Sequence, residues 1–76
     1  MSNKKLTTGQ KLVGINSNLS GNQKVDEVKQ IFADLIDSID LDNKDDSDEK
    51  ALIKLTAVQS LLNSQMLVVK ALTFND

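Results

Sequence analysis

Residues 51–72 read ALIKLTAVQSLLNSQMLVVKAL, with neither glycine nor proline to interrupt them. Ala51, Leu55, Val58, Leu62, Gln65, Val69 and Leu72 are spaced in alternating steps of four and three, a near-heptad seam on one side of a helix. Ala57, Leu61, Ser64 and Val68 make a second line beside it, and Leu52, Ile53, Met66 and Leu67 add further apolar surface. Met66 in such a stripe reads as packing. The pattern predicts a helix over 47–73, about 40 Å long at ~1.5 Å per residue. Asp46 with Glu49 supplies its start signal.

Before this helix, 42–46 read as an acidic turn. A calcium loop starting at Asp42 fails, because its third position is Lys44 and its sixth is Ser47 where an EF-hand needs glycine. Further back, Val25, Val28, Phe32, Leu35, Ile36 and Ile39 form a helical stripe, widened by Ile31. Ser20 and Gln23 have capping-box spacing, and Asp26 and Glu27 fall in the first turns. A first helix is therefore expected over 21–41, with Lys24 and Lys29 away from the stripe centre. Residues 1–19 read as a short polar arm, frayed from Met1 to about Lys5 and tied down by Leu6, Leu12, Val13 and Ile15. The fold expected is all-α, a single domain built as an antiparallel two-helix hairpin with an N-terminal polar arm. One partner helix cannot cover the apolar surface of 47–73, so the hairpin is expected to assemble into a homo-oligomer.

Composition narrows the chemistry. The 76-residue chain has no cysteine and no histidine, which removes disulfides, thiolate metal sites, the commonest general base and any Ser-His-Asp or Cys-His arrangement. Walker and dinucleotide-binding glycine motifs are absent too. Asp34 with Asp37, and Asp37 with Asp40, read as solvated carboxylates. No catalytic residue, metal or cofactor is expected. Five lysines face two acids over 1–29, whereas eight acids face Lys44 over 30–49. No broad basic surface is available for long nucleic acid. No apolar run follows Lys4 and Lys5, so neither a signal peptide nor a membrane span is expected, and the cytoplasm is the expected location.

What remains is a capacity to bind. Gly14, Asn16, Ser17, Asn18 and Ser20, with Lys29 two turns into the first helix, bring together amide, hydroxyl and ammonium groups suited to base edges, ribose hydroxyls and phosphate. The plain alternative is an ordinary surface turn, in which Gly and Asn tolerate left-handed backbone.

Val13-Gly14, Asn18-x-Ser20, Val25-x-x-Val28-Lys29 and Ala33-x-Leu35-Ile36-Asp37, in that order, resemble the hairpin domain of phage anti-CBASS cyclic-oligonucleotide sponges, a domain shared with anti-Thoeris sponges. Glu49-Lys50, Leu55-Thr56-Ala57, Gln65-Met66 and Val69-Lys70-Ala71-x-Thr73 continue the likeness, which covers about 12–73. The resemblance implies a homo-hexamer in the infected bacterial cell that sequesters cyclic dinucleotides, and in many members cyclic trinucleotides, without cleaving them. It also implies that Ser17, Asn18 and Lys29 contact the dinucleotide. Ser17 stands where such proteins often carry Phe or Tyr, and Leu19 where they often carry Pro. Loss of base–aromatic stacking, worth roughly 1–3 kcal/mol per base, is the expected consequence, with Ile15, Leu19 or a neighbouring chain supplying an apolar face instead.

Overall fold

A computed structural model describes residues 5–75; the fraying expected at the first residues lies, for 1–4, outside them. The chain is all-helical: α1 spans Thr8–Val13, α2 Gln23–Ser38 and α3 Asp48–Thr73. The helix α1 is a correction to the polar arm, and its signals are local. The Thr7 hydroxyl accepts from the Gln10 N–H at 3.1 Å, and the Gln10 side chain accepts from the Thr7 N–H at 3.0 Å. This is a complete capping box. Gly14, at φ 66°, ends the helix in left-handed backbone, and its N–H and that of Ile15 donate back to Gln10 and Lys11.

The helix α1 lies across α2 because Gly9 has no side chain. A Cβ at Gly9 would stand 2.2 Å from the Ala33 carbonyl oxygen. The Gly9 N–H donates to the Asp37 carboxylate at 2.7 Å, so a carboxylate from α2 meets the amide-rich end of α1. Gln10 Nε2 donates to Gln30, which in turn donates to Asp34.

This crossing rotates the buried face of α2 away from the expected stripe. Val25, Lys29, Ala33 and Ile36 are buried, whereas Ile31 and Leu35 are exposed. Lys29 was expected off the stripe; it is buried because α1 and the segment after it cover that side. Asn22, not Ser20, caps α2 by accepting from the Lys24 N–H at 2.9 Å. Ser20 Oγ is occupied one step earlier, accepting from the Asn22 N–H and donating to Asn18. The helix stops at Ser38 rather than 41, since Asp40 takes φ 58° and turns the chain.

The connection therefore covers 39–47, wider than the expected 42–46 turn, and α3 begins with Ser47 as its cap, accepting from the Lys50 N–H at 3.1 Å. Asp46 does not cap; its carboxylate pairs with Lys54 and, at 3.7 Å, with Lys50. Lys54 also donates to the Asp40 carbonyl at 2.7 Å, tying the start of α3 to the end of α2.

The two long helices pack together. Val13, Ala33, Ile36 and Val58 form the core, flanked by Ile15, Phe32, Ile39, Leu41, Leu61 and Leu62. This is a small core for so long a helix. Of the α3 seam, Val58 and Gln65 are buried, while Leu55 joins Leu52, Ile53, Met66, Leu67 and Val68 at the surface. Although no span was expected, α3 is long and apolar enough to cross a membrane by length and composition, with only 11% of its most apolar window buried. The same property describes a helix covered by another protein chain.

Candidate functional site

The segment from Gly14 to Asn22 folds back over the N-terminal half of α2. Two short backbone turns shape it, with the Ser17 N–H donating to Gly14 at 2.9 Å and the Gly21 N–H to Asn18. Gly21, at φ 69°, reverses the chain into α2. Lys29 holds the segment from below: its ammonium donates to the Gly14 carbonyl at 3.0 Å and to the Ser17 carbonyl. Lys29 is only 7% exposed, and no carboxylate pairs with it among the described residues. An ammonium has three donors. Two are spent on carbonyls, so the charge is dressed with dipoles but not neutralised.

Ser17, Asn18, Leu19, Ser20, Val25 and Lys29 line an open groove of about 310 Å³, closed on its far side by Val69 and Thr73 near the end of α3. Four of the residues singled out from sequence are thus brought together. Gly14 contributes through its carbonyl beneath the groove, and Asn16 is exposed outside its lining. Leu19 was named as one source of an apolar face, whereas Val25, Val69 and Thr73 were not among the expected site residues. Val69 and Thr73 share a helix face at a spacing of four, but only the packing of α3 on α2 brings that face opposite Val25.

Most polar atoms here already have partners. Asn18 Nδ2 donates to the Asn22 carbonyl at 2.9 Å and to Asp26 at 3.0 Å, and its Oδ1 accepts from Ser20 at 2.7 Å. The Thr73 hydroxyl donates to the Val69 carbonyl. For a ligand the groove offers the remaining Lys29 N–H, the Ser17 hydroxyl, a lone pair on Asn18 and the fully exposed side chain of Leu19. One cation, a few short polar groups and an apolar wall suit a small anion with a flat apolar part. About 310 Å³ is at the small end for an enclosed ligand site.

Compared with protein-family models, with curated proteins and with solved structures, the chain matches none.

Proposed function

We propose that this protein binds cyclic di- or trinucleotide second messengers of bacterial CBASS-type defence and withholds them, uncleaved, in the cytoplasm of the infected cell. The observation that carries this is Lys29, a buried ammonium without a carboxylate partner among the described residues, set at the floor of a groove whose rim is Ser17, Asn18 and Ser20. A phosphodiester would supply the missing negative charge, and Leu19 with Val25 and Val69 would take a base face in place of an aromatic ring. We read binding without turnover because no Ser-His-Asp or Cys-His arrangement can be built in a chain without His or Cys. In this reading α2 and α3 are an antiparallel hairpin, and six copies assemble so that neighbouring chains complete each small groove. The fit of sequence pieces to the sponge hairpin supports that assembly.

Calorimetric titration with a panel of cyclic di- and trinucleotides tests the proposal, followed by denaturation and mass analysis of the released ligand. Tight binding and intact nucleotide are expected; no binding across the panel overturns it. Lys29→Ala is expected to weaken dinucleotide binding at least tenfold, about 1.4 kcal/mol, and unchanged affinity would remove Lys29 from the site.

A second reading is a helical adaptor that docks a host protein on α3, favoured by the exposure of Leu52, Ile53 and Leu67. Light scattering separates the two: a chain that is monomeric alone and assembles only with a host protein is an adaptor.

A further inference from the structure

A second groove opens between α1 and α3. Leu12, Gln59, Leu62, Asn63, Gln65 and Met66 line it, with a volume of about 460 Å³. Its α3 wall continues toward the N-terminus: Leu52, Leu55, Gln59, Leu62 and Met66 follow steps of three, four, three and four, a seam that shares Leu55 and the half-buried Leu62 with the one packed on α2 and turns outward from it. Leu52, Leu55 and Met66 are each more than half exposed, and Leu12, at 45%, rises beside them.

The seam carries its own register. Seven residues on either side of Gln59 stand Leu52 and Met66, and Leu55 is mirrored by Asn63 beside Leu62. Asp48 and Glu49 in the first turn of α3 mirror Lys70 in the last. Among the described residues none of these three takes part in an ion pair. We infer that a second copy of this chain covers the seam, its α3 running antiparallel about a two-fold axis at Gln59. Leu52 then packs on Met66 of the other copy, and Leu55 on Leu62. Lys70 meets Asp48 and Glu49 at both ends, and the two Gln59 carboxamides face each other, each able to donate and accept. Opposed helix dipoles add to the match. A parallel pairing would put lysine against lysine at one end and acid against acid at the other. This interface is independent of the nucleotide reading: it holds whether or not the Lys29 groove binds a ligand.

The absence of cysteine makes the test direct. Gln59→Cys is expected to give a disulfide-linked dimer nearly quantitatively on mild oxidation, and Ser64→Cys, on another face of α3, to give little. Mixing Leu52→Cys with Met66→Cys chains is expected to yield the mixed dimer several-fold in excess of either homodimer, because only an antiparallel pairing brings those positions together. Circular dichroism confirms that each variant is folded. Faster linkage at Ser64→Cys, a Leu52→Cys homodimer as the main product, or wild-type chain that stays monomeric by ultracentrifugation and partitions onto phospholipid vesicles would overturn the proposal.

Discussion

Gly9 and Lys29 are the two residues on which the local architecture turns, for opposite reasons. Gly9 matters for what it lacks: any side chain would meet the Ala33 carbonyl within 2.2 Å. Helix propensity alone would make Gly9→Ala stabilising by about 1 kcal/mol. Here the added methyl must push α1 off α2 and stretch the bond to Asp37, so a net loss of about 2 kcal/mol is expected in urea unfolding. A gain would show that α1 does not sit on Ala33. Lys29 matters for a charge held by carbonyls. Lys29→Met keeps the stem and removes the ammonium, freeing Gly14 and Ser17. Hydrogen bonds to charged groups are worth about 1.5–3 kcal/mol each, offset by relief of burying the charge, which leaves an expected cost of about 1–2 kcal/mol. Amide exchange is expected to quicken across 14–18 and not in α3; uniform exchange would place the contribution elsewhere.

At the scale of elements, each helix has a separate start device, and the one at α3 responds to pH. The Lys54 hydrogen bond, helped by the charges of Lys54 and Lys50, holds the Asp46 carboxyl below its ordinary 3.8. Its folded-state pKa is depressed, so the pair stabilises the fold above the unfolded value and that contribution is lost as pH falls toward the folded one. Between about pH 5 and pH 2, wild-type chain is expected to lose stability more steeply than Asp46→Asn. Parallel curves would show that the pair contributes nothing measurable. The capping signals were legible: Thr7-x-x-Gln10 and Gly14 bracket α1 at standard spacing, though the short polar segment between them has no apolar period to announce a helix. Ser20 and Asp46 show the opposite failure. Several capping residues stand side by side at both starts, and which one caps depends on where the preceding loop leaves the chain.

At the scale of the whole molecule, two long helices and a six-residue one close only a thin core, and α3 keeps most of its apolar surface outside. If a second copy covers α3 as proposed, the unfolding midpoint rises with concentration. Calorimetric scans over a hundredfold dilution are expected to show that rise, and Lys70→Glu, which sets acid against acid across the proposed pairing, is expected to reduce it. A midpoint independent of concentration would mean a monomer stable alone.

The amino-acid sequence by itself determined that the chain is all-helical, where its two long helices lie and that α3 carries more apolar surface than one partner can cover. Those properties are periodic and local, set by side-chain spacing along one helix. Only the tertiary structure decided that Lys29 is buried under the Gly14–Ser17 carbonyls, that Gly9 seats α1 on α2, and that Val69 and Thr73 close a groove opposite Asn18. Each depends on the angle and register at which two helices meet, and these follow from which small residue permits close approach, something no single stretch encodes.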